Sequence, residues 1–391
     1  MQVGDRMGFA FTNDLSEASL RNLVELALAN ARHAAPDRFQ NIPALPSAAY
    51  LPVSIFDPAV PALTGEEKIS RVMAMEREAF AVDPRIKRIR KAAASFSAAE
   101  TLIRNSHGAE VSYQSTAVSA SIEAVAEDKD EAQAGWEHDV RRFYGMLDIE
   151  GVGRRAARKA VDLLGACTFD SVKAPVILEA AVAEEFLSIM AGGFSAENVQ
   201  KKKSLFLGKL GSVVMSPLIT ILDDGLLDGG LGTAPSDDEL VPMRTKTVID
   251  QGHLALFLHS SSTARKDGVE PTGNGIRGGF RGMPLPGVTN LYIRPGTIPP
   301  EDLVADTGRG LFVTEIMGAH TANPISGDFS VGATGFWIEQ GKRAYPVREI
   351  TIAGNILDLM TNVDAVCSDL RFSGRTGSPT LRVKEMSIAG K

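Results

Sequence analysis

Cysteine is nearly absent from this 391-residue chain: Cys167 and Cys367 are far apart and form no CxxC pattern. A disulfide scaffold is therefore not expected, and a reducing cytoplasm is the expected setting. Long apolar runs are missing as well. Stretches such as FLSIMAGGF from Phe186 fall far short of the roughly 18 residues a membrane span needs. The start, MQVGDRMGFAF, has no extended apolar region behind a basic one, so no secretion signal is expected. An excess of positive charge is lacking too. With a formal net charge of -7, nucleic acid is not the expected partner. The sharp basic run, Lys201 to Lys203, reads as a solvated loop or helix end, with phosphate or partner contact as the alternative.

Histidine is scarce, and its placement excludes more. His33, His107, His138, His253, His259 and His320 are all there are, and none is followed by Glu. No HExxH or HExxxH exists, so no helix face presents paired imidazoles to a zinc ion beside a proton-accepting carboxylate. His253 and His259 fall on an expected strand with even spacing, hence on one face. At roughly 3.3 Å per residue they would stand about 20 Å apart, too far to share a metal. No GxSxG elbow and no P-loop ending in GK[ST] occurs. Gly273, Gly275 and Gly278 satisfy GxGxxG literally, but Gly279 to Pro284 cannot open the helix a dinucleotide site requires. Asp223, Asp224 and Asp228 lack the alternating spacing of a calcium loop and read as turn residues.

What remains is an ordinary globular composition, 44% hydrophobic, in a chain long enough for two sizeable cores. Ser16 is a plausible N-cap for a helix whose apolar stripe is Leu20, Leu23, Val24 and Ala27. A proline-rich connection from Pro43 to Pro61 follows. Thr64 and Glu67 then form a capping box ahead of a helix with Ile69, Val72, Met73 and Phe80 as its stripe. Between Ile86 and Glu127 the period becomes two. Val118, Ala120, Ile122 and Ala124 alternate with polar residues, and Asn105 to Gly108 reads as a hairpin turn. Asp128 to Glu137 reads as a polar break, Gly151 to Leu164 as a helix, and Ala174 to Leu178 as a strand. Beyond it, hairpins are expected over Thr245 to His259, turning at Asp250 to Gly252, and over Gly332 to Val347, turning at Glu339 to Gly341. The expected fold class is α+β: a mixed N-terminal domain over 1–169 and a sheet-rich, mostly antiparallel C-terminal domain over 170–391.

SGDFSVGATGFWIEQG (Ser326 to Gly341) and YPVREITIAGNILDLM (Tyr345 to Met360) resemble the TldD/PmbA family, long labelled modulators of DNA gyrase and now read as a two-subunit metallopeptidase. GFAFTNDLSEASL (Gly8 to Leu20) is similar to a block inside that family's N-terminal domain, with several dozen residues expected ahead of it. The resemblance covers most of the chain and points to the PmbA/TldE branch, which lacks the zinc motif. In the catalytic branch an HExxxH helix follows a strand just after the domain boundary. The matching stretch here is Glu179 to Val199, with Glu184 and Glu185 but no histidine. The family's cysteine ligand near the C-terminus is also missing from Val366 to Val383, and Cys367 reads as a buried structural thiol.

The resemblance therefore implies a non-catalytic subunit that needs a TldD-like partner carrying HExxxH and zinc, with no cofactor of its own. Its substrate would be an unfolded peptide or small protein, and a homodimer is possible when it is alone. Two other functions stay open: a stand-alone binding protein regulating gyrase or a toxin system, and an independent hydrolase using Glu184, Glu185 or His320. Pro271 to Gly296 is similar to a catalytic-branch segment near the peptide groove. Candidate peptide contacts are thus Asn274, Arg277, Arg281, Asn290 and His320, the two arginines being suited to hold a carboxylate. The competing readings are an exposed loop for the arginines and a satisfied turn histidine for His320.

Overall fold

The computed structural model describes residues 1–44 and 50–390, so part of the Pro43 to Pro61 connection lies outside the described residues. The first helix, α1 (Glu17–His33), starts where Ser16 accepts a hydrogen bond from the Ser19 amide. Its buried face is Ala27 and Ala31, whereas Leu20 and Val24 of the expected stripe are exposed. The second, α2 (Gly65–Val82), opens on the Thr64–Glu67 capping box. Here too the inward face is not the expected one. Ala74, Met75 and Ala79 are buried, while Ile69 and Met73 are 63% and 60% exposed. The cause is close approach. A Cβ on Gly153 of α3 (Ile149–Asp162) would lie 2.2 Å from the Met75 carbonyl oxygen, so small residues, not large ones, make this helix contact.

These two helices, α2 and α3, pack on an antiparallel sheet of β1 (Ile86–Arg104), β2 (Glu110–Asp128) and β3 (Glu131–Arg141), in that order. The Asn105 carboxamide holds the β1–β2 turn by accepting from the His107 and Ala109 amides. Val118, Ala120, Ile122 and Ala124 of β2 are buried, as their alternation requires. The expected polar break shrinks to a two-residue turn at Lys129 and Asp130, and β3 resumes at once. A buried charge, Glu137, is what made this strand look polar.

Past α3, two six-stranded sheets share one apolar cluster that includes Phe186, Phe194, Phe206, Leu311 and Trp337. The strands are β4 (Val172–Leu178), β5 (Ile221–Asp224), β6 (Thr245–Asp250), β7 (His253–Leu254), β8 (Leu291–Ile293), β9 (Arg309–Met317), β10 (Asp328–Glu339), β11 (Lys342–Asn355), β12 (Val363–Val366), β13 (Arg371–Ser373), β14 (Thr376–Ser378) and β15 (Leu381–Ala389). One sheet runs β11-β10-β9-β4-β15-β12, and an extra β11–β15 pairing closes it on itself. The other runs β13-β14-β8-β5-β6-β7. The pairs β4–β9 and β8–β14 are parallel and the other pairs in these sheets antiparallel, so the α+β, mostly antiparallel class holds.

Both expected hairpins form, on two-residue turns with positive φ at Gln251 and Gly252 and at Gln340 and Gly341. The first is shorter than expected. Because β7 ends at Leu254, His259 is not on a strand face with His253: it lies buried ahead of a short helix, and His253 is exposed. Asp223, expected in a turn, sits inside β5 and is fully buried.

Candidate functional site

The helix that follows the first C-terminal strand is α4 (Ala180–Ala191), with Glu179 at its N-cap. Val182, Ala183, Phe186, Leu187 and Met190 tie it into the core. Its polar residues face the junction of the two domains. Glu184 is buried and accepts a hydrogen bond from the Thr376 hydroxyl of β14. Burial raises its pKa to about 7 against that hydrogen bond. Burial, then the charges of Glu184 and Glu315, also raises Glu185 to about 7. Desolvation also pushes up half-buried Glu179 and, although its residue surface is largely exposed, Glu315.

The cations that offset this acidity come from both domains. Glu137 of β3 is buried between Lys159 of α3, 2.7 Å away, and Arg371 of β13. Burial alone would raise Glu137, but these two charges outweigh it and hold its pKa below the usual value. Lys159 also acts on Glu179, Glu185 and Glu315. The result is a carboxylate-rich junction. Two of its groups can exchange a proton near neutral pH.

Whether a zinc ion fits depends on convergent donors. Among the described residues no three His, Cys, Asp or Glu side chains come together as a metal site. His138 stacks on Trp136 at a ring separation of 5.8 Å, His259 is buried with its pKa lowered by desolvation, and His320 lies on an exposed turn. The residues present do not fit a zinc centre in this chain. Cys367 is fully buried and its thiol is pushed up to about 12, first by burial, so it is not poised as a thiolate.

The segment from Pro271 to Gly296, which runs through β8, carries four of the five candidate contacts and divides them into two kinds. Asn274 is a hub: it donates to Asp223 at 2.9 Å and to the Gly287 carbonyl, and accepts from Lys246 and Thr272. Lys246 and Asp223 form a buried ion pair at 2.8 Å, and Thr289 donates to the same carboxylate. Asn290 accepts from the Gly232 amide and donates to the Asp224 carbonyl and Thr233 hydroxyl. Both asparagines are fully buried, and these bonds make them braces for the loop.

Arg277 is half-buried. Its amide donates to Asp238, its guanidinium donates to the Gly282 carbonyl, and it lies 5.4 Å from the Phe9 ring centroid. Arg281 is exposed and lies over Phe11 and Phe280. Arg277 lines a cavity of about 490 Å³ together with Phe9, Ile42, Asn105, Glu239 and Met283. His320 shares no hydrogen bond or ring contact with this group.

Sequence reasoning missed Glu137, Glu315, the buried Asp237 and the half-buried Glu239. Burial and Glu239 raise Asp237 to about 7 although three backbone amides donate to it. The available signal was an acidic residue inside an apolar strand pattern, as Glu315 is in LFVTEIM.

Comparisons with known proteins place this architecture. Residues 171–390 match the PmbA/TldA metallopeptidase C-terminal domain and residues 58–164 the central domain of the same description. The chain is 30% identical to the Escherichia coli O157:H7 protein named metalloprotease PmbA, over 99% of this chain and 84% of that one. The solved structure of a candidate modulator of a DNA gyrase from Thermotoga maritima superposes with a TM-score of 0.91 at 32% identity, covering 99% of this chain and 87% of that one. TldE from Thermococcus kodakarensis gives a TM-score of 0.89 at 25% identity, covering 99% and 88%.

Proposed function

This chain belongs to the TldD/PmbA metallopeptidase family, and from that premise we propose that it is the non-catalytic, PmbA/TldE-like subunit of a TldD/TldE-type peptidase. The observation that carries this reading is α4. Where the resemblance expects an HExxxH helix, this helix presents Glu184 and Glu185 and no imidazole. Hydrolysis then needs zinc held by a TldD-like partner, as in a cytoplasmic heterodimer, and a homodimer is open to the chain alone. The likeness to TldE supports the subunit assignment. Substrates are unfolded peptides or small proteins. This chain contributes walls and strand edges: β13 is an edge strand beside the acidic junction, suited to pair with an extended backbone.

Regulation of gyrase or a toxin system without a peptidase partner is the competing reading, supported by the description of the Thermotoga maritima relative. Independent hydrolysis is the third. One experiment separates catalysis from support: the purified chain is assayed for bound zinc and for cleavage of an unstructured peptide. We expect neither. Zinc at one ion per chain, with cleavage abolished by Glu184→Ala, Glu185→Ala or His320→Ala, would overturn the assignment.

A further inference from the structure

A second cavity, of about 240 Å³, opens where the β1–β2 arm meets the glycine-rich loops of the C-terminal domain. Arg142, Arg375, Tyr113, Thr101 and Ser115 line it. Arg142 leaves the end of β3 and spans the domains. It donates to the Thr116 carbonyl on its own side and to the Gly230 and Leu231 carbonyls on the other. These acceptors are dipoles, not charges, and among the described residues no carboxylate lies within ion-pair distance of Arg142. Arg375, in the β13–β14 turn, is solvent-exposed and makes no hydrogen bond or ion pair through its side chain among the described residues. The two guanidiniums repel each other and both act on Tyr113. Two cations without an ion-pair partner among the described residues thus face one small polar chamber.

Asp237 and Asp238 also line it; both oxygens of Asp237 and one of Asp238 are engaged elsewhere, and the Asp238 charge acts on Tyr113. Asp237 accepts from the Glu239, Val241 and Gly275 amides, and Asp238 from the Arg277 amide. Neither pairs with Arg142 or Arg375. The chamber is smaller than the roughly 300–1,000 Å³ of pockets for drug-sized ligands, which suits the end of a chain more than a whole small molecule.

We propose that this chamber binds the terminal α-carboxylate of a peptide, with Arg375 as its principal donor and Arg142 and the Tyr113 hydroxyl beside it. An arginine fork matches a carboxylate bidentately, and the hydroxyls of Thr101 and Ser115 suit the remaining lone pairs. The proposal rests on the peptide-handling role above and adds which part of the peptide this chain holds. A peptide laid along the junction would be anchored at its C-terminus here and present its body to the partner's metal.

The test is calorimetric titration of the full chain with one unstructured peptide made as the free acid and as the C-terminal amide. The free acid is expected to bind about tenfold more tightly, some 1.4 kcal/mol. Arg375→Gln should abolish that ratio while leaving the amide's affinity unchanged, and Arg375→Lys should restore part of it. Arg375 has no internal bond to lose, so an unchanged melting temperature certifies each variant. Equal affinity for acid and amide would overturn the proposal while leaving the subunit assignment intact, as would a preference that survives Arg375→Gln. Failure of both peptides to bind would sink the proposal together with the peptide-handling role. Inorganic phosphate binding that depends on Arg375, without peptide binding, would assign the chamber to a free anion instead.

Discussion

Glu184 and Glu185 show how burial sets the behaviour of single residues in this protein. Their folded pKa values lie near 7, above the ordinary carboxylate value of 4.5 that the unfolded chain has. The folded state therefore binds more protons between these limits. Stability falls as pH rises from about 4.5 to about 7 and levels off above it. Ionising buried Glu184 costs on the order of 2–3 kcal/mol, and ionising the partly exposed Glu185 costs less. Glu184→Gln, which keeps an acceptor for Thr376, should raise the melting temperature at pH 8 and leave it nearly unchanged at pH 4.5. Thermal melts at the two pH values check this, and an equal shift at both would contradict it. The sequence singled out these glutamates only because histidines were missing. Their partners Thr376, Glu315 and Lys159 lie far away along the chain, so nothing local showed the acidic cluster. Asn274 and Asn290 show the reverse: a polar residue in a glycine-rich loop reads as a ligand contact until its burial is known.

At the scale of elements, capping and turn chemistry were legible because they act within a few residues. The Thr64–Glu67 box, the Asn105 turn and the two glycine hairpins all stand where local rules put them. Which face of a helix is buried was not legible for α2. Large apolar residues suggested Ile69 and Met73, but the fold brings α3 close enough that only small side chains and Met75 fit between. Met75→Ala should cost about 2–5 kcal/mol, and Ile69→Ala less than about 0.5 kcal/mol. Chemical denaturation of both variants measures the difference, and comparable losses would contradict the assigned face. Strand β3 escaped for a related reason. Glu137 lies within it as a buried charge, and its compensating cations come from α3 and from the other domain.

The whole molecule is two domains stitched by charge. Glu137 with Arg371, and Arg142 with the Gly230 and Leu231 carbonyls, cross the junction where the acidic helix α4 and the carboxylate-binding chamber lie. The fold class was legible from periodicity and the family from two C-terminal blocks. The junction was not, because it is assembled from segments distant in sequence. On the function proposed above, this junction is one half of a peptidase whose metal belongs to another chain. Purification of the protein from its native cell extract, with mass spectrometry of whatever accompanies it stoichiometrically, tests this most directly. A partner carrying HExxxH is the expected companion. A homo-oligomer with no such partner would contradict it.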